Sequence, residues 1–261
     1  MGVRGRAQTK GQKWGSRTEL MAPSDLFSEL KMVVPWGHIA AKAWGSQKGS
    51  PVLCLHGWLD NANSFDRLIP LLPRDFYYVA MDFGGHGLSS HYSPGLPYHY
   101  QNFVGEIRRV SAALKWDRFS IMGHSFGEYT RLDRLGSCGG TVGGMFACMF
   151  PEMVDKLILL DSSPFALDSN ELENLLTYKR KGLEHTLLLE QAAKGPSRVL
   201  SPEEMLQRFL NNRHVGEECG KLLLQRGATQ VPTGKALPAQ GRSWALLLAR
   251  SHITKPVLGQ A

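Results

Sequence analysis

Ser125 sits in Gly123-His124-Ser125-Phe126-Gly127, a G-x-S-x-G string entered from the apolar run Phe119–Met122. The chemistry such an arrangement serves is attack by a serine hydroxyl. A serine on a sharp strand-to-helix turn has a strained backbone and an exposed Oγ, and glycines two residues to either side prevent clashes. The N–H of Phe126 then points toward an oxyanion developing on the attacked carbonyl. A second oxyanion donor is expected from His56-Gly57-Trp58, where the glycine lets the backbone approach a substrate and Trp58 supplies its N–H. The His56 side chain reads as a structural imidazole that pins this loop. Asp82-Phe-Gly-Gly-His-Gly-Leu-Ser89 also reads as structural, a tight turn ordered by Asp82. His86 within it is a poor base, because it precedes the nucleophile.

These residues need elements to hold them, and the chain supplies a regular series. Ser28–Val34 and His38–Trp44 read as strands around the turn Pro35-Trp36-Gly37, and Pro51–Leu55 as a buried strand. Ser64–Leu72 has helical apolar spacing and stops at Pro73. Phe76–Met81, Phe119–Met122 and Lys156–Leu160 are further strands, and Tyr98–Trp116 is an amphipathic helix with Phe103, Ile107, Val110 and Leu114 on one side. Strands alternating with helices predict an α/β fold with a parallel sheet covered on both faces. Ligands in such sheets bind beyond the carboxyl ends of the strands, where His56, Asp82, Ser125 and Asp161 all fall. After Phe165, Asp168–Gln191, Pro202–Asn211 and Glu217–Arg226 read as helices. The predicted organisation is a basic flexible leader (1–27), an α/β core (28–165), a helical lid (166–226) and an irregular basic tail (227–261). The tail's one apolar run is Trp244–Ala249.

Val-Leu-Cys-Leu-His-Gly-Trp-Leu-Asp (52–60), Met-Asp-Phe-Gly-Gly-His-Gly-Leu-Ser (81–89) and Ile-Met-Gly-His-Ser-Phe-Gly (121–127), in this order, resemble the α/β-hydrolase family. Within it, residues 28–165 are similar to the vertebrate serine hydrolase-like branch, relatives of epoxide hydrolases and haloalkane dehalogenases. The resemblance implies an α/β-hydrolase fold and a serine nucleophile at Ser125, where those two relatives use an aspartate. It also implies cytoplasmic, perinuclear or peroxisomal residence.

Two departures stand out. Residues 128–139 read as an insert, since removing them leaves an uninterrupted small-residue helix start, Gly-His-Ser-Phe-Gly-Gly-Thr-Val-Gly-Gly. Either the insert forms a charged helical turn through Leu135 and leaves Ser125 in place, or its charged side chains, too costly to bury beside the sheet, shift the helix register. The second departure concerns the proton relay, which needs a histidine and an acid to orient it. Of the histidines after Ser125, His185 reads as a solvated helix face and His214 as a loop residue. His252 has the right order and is the candidate base, although it lacks the glycine-flanked loop of the family. Asp161, at a strand end, is the candidate acid. The last two strands of the family fold are missing from the pattern.

Composition bounds the remaining function classes. The net charge of +7 resides in the ends: residues 1–20 carry +4 and residues 227–261 carry +4, leaving −1 between them. A near-neutral body with basic ends is no nucleic-acid face. Cys54, Cys138, Cys148 and Cys219 lack paired spacing, so neither zinc nor a disulfide framework is expected, and Cys54 reads as a reduced, buried thiol. No apolar run is long enough to span a bilayer. The basic N-terminus lacks a secretory apolar core, and the final Gly-Gln-Ala is no peroxisomal signal. The expected function is cleavage of a small-molecule ester, thioester or related acyl bond by a serine hydrolase, with no cofactor or metal. The competing expectation is a truncated, catalytically impaired variant with a binding role.

Overall fold

The computed structural model describes residues 27–92, 100–125, 139–162, 176, 180, 183–184, 187, 200–211, 215–230 and 236–238. β1 (Phe27–Val34) and β2 (Gly37–Trp44) form an antiparallel hairpin. β2 pairs antiparallel with β4 (Phe76–Met81), and β4 runs parallel to β3 (Ser50–Leu55). β3 runs parallel to β5 (Phe119–His124), and β5 to β6 (Val154–Leu160). The sheet order is therefore β1-β2-β4-β3-β5-β6. The chain goes from β3 to β4 on one side and then crosses to β5 on the other. The reversal opens a crevice at the carboxyl end of β3, where α/β sheets bind ligands. His56-Gly57-Trp58 and Ser125 leave the sheet side by side, because Leu55 is in register with Gly123.

The sheet buries both faces, and alternation along each strand sorts the side chains. Leu53, Leu55, Val79, Met81 and Ile121 pack on one face against Phe103, Ile107 and Val110 of α1 (Tyr100–Ala113) and Val142 and Phe146 of α2 (Gly139–Met149). Val52, Cys54, Tyr78, Ala80 and Met122 pack on the other against Ala62, Phe65 and Ile69. Cys54 is a free, fully buried thiol, and burial pushes its pKa up, so it behaves as a small apolar residue. The helix expected over Ser64–Leu72 is instead two 3-10 turns, Ala62–Phe65 and Ile69–Leu71. Pro70 explains the correction: it removes an N–H and crowds the carbonyl four residues back, so one continuous α-helix does not form. The remaining strand and helix assignments of the core stand to within a few residues.

Of the expected lid, the helix proposed over Asp168–Gln191 falls largely outside the described residues. α3 (Pro202–Asn211) starts on a capping box, with Glu204 N–H donating to Ser201 Oγ at 3.1 Å and Ser201 N–H to Glu204 Oε2 at 3.0 Å. α4 (Glu217–Gly227) follows it and packs on the core. Phe209 of α3 and Leu223 and Leu224 of α4 enclose Leu59, at the carboxyl end of β3. The stretch after Gly227, read as irregular, holds a short hairpin of β7 (Ala228–Gln230) and β8 (Ala236–Pro238). Its three-residue strands are too short for a period-two pattern to register. Among the described residues, no helix is long and apolar enough to cross a membrane.

Arg226 ties α4 to the core. Its Nε donates to Asp82 Oδ2 at 2.7 Å, and its two terminal nitrogens donate to Glu29 at 2.6 and 3.0 Å. The arginine and Asp82 are buried, whereas Glu29 is half-exposed. Removing one member of a buried pair strands the other charge, which typically costs about 3–5 kcal/mol. Arg226→Ala is expected to lose that much in urea unfolding. Glu29→Gln, which leaves a solvated partner, is expected to lose less than about 1 kcal/mol.

Candidate functional site

Ser125 is the first residue past β5, and its φ of +73° confirms a strained turn at the strand end. Its N–H donates to Leu160 O at 2.9 Å, anchoring the turn on β6. The start of α2 presses on the same point. Gly139 N–H donates to His56 O at 3.0 Å, and a Cβ on Gly140 would lie 3.3 Å from Ser125 O. A Cβ on Gly123 would lie 2.6 Å from the Gly140 Cα, so strand end and helix start meet glycine on glycine. Ser125 and Gly139, fourteen positions apart in sequence, thus meet at one point.

Phe126 and all of the expected insert except Gly139 lie outside the described residues. Gly139 itself is helical, the first residue of α2. The sequence permits this boundary. Gly127 and Gly139 are both glycine, so excising 127–138 leaves the same string as excising 128–139.

The loop after β3 is a tight turn, with Asp60 N–H donating to Gly57 O at 3.1 Å. It carries Trp58, the expected oxyanion donor, and Leu59, a second non-glycine with positive φ, +61°. The buried His56 ring holds its base: Nε2 accepts Phe83 N–H at 3.1 Å and Nδ1 lies 2.7 Å from Gly57 O. These two bonds fix the neutral tautomer protonated at Nδ1. Burial lowers the His56 pKa, opposed by the nearby Asp82 and Asp60 charges. His56 is therefore a structural pin. His86 is also buried, with Nδ1 3.0 Å from Gly84 O and its ring edge-on to Trp58 at 5.1 Å.

Asp82 is fully buried and orders more than its own loop. Oδ1 accepts Ala62 N–H at 2.7 Å, and Oδ2 accepts Leu88 N–H at 2.9 Å beside the Arg226 bond. Asp161 directly follows β6, exposed and at φ +48°. His185, His214 and His252 lie outside the described residues. Sequence reading missed a different histidine. His124 Nδ1 lies 3.8 Å from Asp60 Oδ2, and no motif links these residues, because the pair forms only when β3 and β5 are neighbours. Among the described residues, no cluster of His, Cys, Asp and Glu gathers to hold a metal ion.

A family profile described as alpha/beta hydrolase fold matches residues 50–127, from β3 through the G-x-S-x-G string around Ser125. The serine hydrolase-like protein of Mus musculus is 66% identical over 221 residues, spanning 84% of this chain and 67% of the mouse protein. Serine hydrolase-like protein 2 of Homo sapiens is 66% identical over 230 residues, 87% of this chain and 69% of the human one. Among solved structures, the hypothetical protein PA1622 from Pseudomonas aeruginosa PAO1 is 30% identical with a TM-score of 0.66, covering 85% of this chain and 77% of that one.

One further carboxyl borders the site. Glu106 of α1 is buried, one oxygen accepting Gly84 N–H at 2.9 Å and the other bonded to the Tyr92 hydroxyl. Burial pushes it up to about 7, against the hydrogen bonds from Tyr92 and Gly84 and the Arg109 charge. Between the ordinary glutamate value of 4.5 and about 7, the folded chain holds a proton that the unfolded chain has lost. Stability contributed by the neutral form is complete below 4.5 and lost as pH rises through 7, on the order of 3 kcal/mol. The thermal midpoint should therefore fall across this window in the parent protein. In Glu106→Gln, which keeps an acceptor and a donor but does not ionise, that fall should vanish.

Proposed function

The chain belongs to the serine hydrolase-like branch of the α/β-hydrolase fold family, and on that premise we propose that it cleaves a small-molecule ester, thioester or related acyl bond through a Ser125 acyl-enzyme. The observation that carries the reading is the strained Ser125 turn at the carboxyl end of β5, beside the Gly57–Asp60 turn. In this reading Ser125 Oγ attacks the acyl carbonyl and its proton passes to an imidazole, for which His252 is the candidate and Asp161 the orienting acid. The N–H groups of Trp58 and Phe126 take the oxyanion. The imidazole then gives the proton to the leaving alcohol or thiol, and water repeats the sequence to release the acid. No step needs a cofactor. Lid residues over Leu59 would select the acyl group.

A fluorophosphonate probe reports the nucleophile directly. The expected outcome is labelling of the full chain that is abolished in Ser125→Ala. His252→Ala should slow labelling by about 100-fold or more if the tail supplies the base. A full chain that stays unlabelled, while folded by circular dichroism, would instead favour a catalytically impaired protein with a binding role.

A further inference from the structure

The turn that would carry the Trp58 oxyanion donor is strained and needs restraint. Leu59 occupies the left-handed region at φ +61° without being glycine, which costs on the order of 1–3 kcal/mol unless neighbours enforce it. On one side they do so by packing: Leu59 is buried under Phe209, Leu210, Leu223 and Leu224. The other side faces the nucleophile strand, and there the contact is polar.

Three groups converge on Gly57 from that side. A Cβ at Gly57 would lie 2.9 Å from Asp60 Oδ2, 3.0 Å from Ser125 Cβ and 3.3 Å from His124 Nδ1. Any larger residue would push the carboxylate, the imidazole and the nucleophile apart. Asp60 belongs to the turn itself, since its N–H closes the turn on Gly57 O. His124 is the last residue of β5 and immediately precedes Ser125. Its Nδ1 is buried and makes no hydrogen bond among the described residues, while Asp60 Oδ2 stands 3.8 Å away. That separation is within ion-pair range and about 1 Å beyond a direct N–H···O bond. His56, the other imidazole in electrostatic reach, is kept neutral by burial and already uses both nitrogens.

We propose that His124 and Asp60 form a latch that fixes the oxyanion turn on the nucleophile strand, making His124 a positioning residue for the acyl transfer. The latch sets the spacing between Trp58 and Ser125, which belong to different strands with no covalent link nearby. It deepens the serine-hydrolase reading and rests on it for its catalytic consequence, but the physical claim concerns the turn. A buried nitrogen without a partner costs free energy, and closing the gap to Asp60 removes that cost while holding the turn in its strained form.

Amide hydrogen exchange separates this role from general destabilisation. In the full chain, His124→Leu and Asp60→Asn should each speed exchange of the Asp60 amide by about 10-fold, with the double variant no faster than either single one. His124→Asn, whose amide nitrogen takes the place of Nδ1, should restore slow exchange. Core β3 amides should stay protected throughout. Unchanged Asp60 exchange in His124→Leu, or multiplicative effects in the double variant, would overturn the latch. Fluorophosphonate kinetics on the same proteins give the catalytic arm. The maximal labelling rate should fall by about 10-fold in His124→Leu, with half-saturation unchanged. A parent chain that never labels would overturn the nucleophile reading, and exchange alone would then decide the latch.

Discussion

A carboxylate with no access to water sits at the centre of this fold. Asp82 follows β4 and is fully buried, a position that costs several kcal/mol unless donors surround the charge. The donors come from far apart in the chain: Ala62 N–H at the start of the first 3-10 turn, Leu88 N–H in its own loop, and Arg226 at the end of α4. Arg226 needs an anion on its far side and finds Glu29 of β1. One buried charge thus makes the positions of the β1 edge, the turn after β3, the glycine loop and α4 interdependent. Asn61 and Asn63 extend the same seam, donating to Leu223 O and Leu222 O of α4 at 2.9 and 2.8 Å. α4 is therefore docked by polar bonds to the segment that follows the Trp58 turn, and a shift of either displaces the other.

Strain collects where that seam meets the site. Four described non-glycine residues have positive φ, and one of them, Lys115, merely ends α1. The other three, Leu59, Ser125 and Asp161, stand beyond the carboxyl ends of β3, β5 and β6, three strands that are neighbours in the sheet. Backbone held in sparsely populated conformations persists only where packing over-determines it. Here the packing is identifiable: apolar residues of α3 and α4 over Leu59, the Leu160 carbonyl at Ser125, and the first turn of α2 behind it.

How much of this was legible in the sequence depended on the range of the interaction. Unbroken apolar runs such as Val52–Leu55 announced strands buried on both faces, and the glycine spacing around Ser125 announced the turn. Local chemistry also decided where the reading slipped, since Pro70 was in plain view and its effect on the Ser64–Leu72 helix was undervalued. The long-range polar bonds were invisible. Arg226 and Asp82 are 144 residues apart, and nothing in their neighbourhoods marks them as partners. His124 carries no sequence signal of its own, because the chemistry of proton transfer points to an imidazole that follows the nucleophile in the chain. The role argued for His124 is mechanical, and it follows from sheet order alone: β3 beside β5 puts Asp60 within reach.

The start of α2 shows what a helix packed behind a strained serine requires. A helix behind a strained serine must begin with residues small enough to lie against two strand ends, and here that requirement is met by Gly139 and Gly140, where a Cβ would strike Leu55 O at 2.1 Å or Ser162 Oγ at 1.8 Å. Because glycine stands at both 127 and 139, the helix can start at either without changing what faces the sheet. The second glycine is the one that begins α2. In sequence, residues 126–138 separate Ser125 from the first residue of α2. A helix that follows a serine directly is fixed to it by the peptide chain. Among the described residues, the contacts that relate Ser125 to the start of α2 are Ser125 N–H on Leu160 O, Gly139 N–H on His56 O, and the close approach of Gly140 to Ser125 O. Geometry that a directly following helix would secure is thereby left to hydrogen bonds and close packing, which makes the frame around Gly57 consequential.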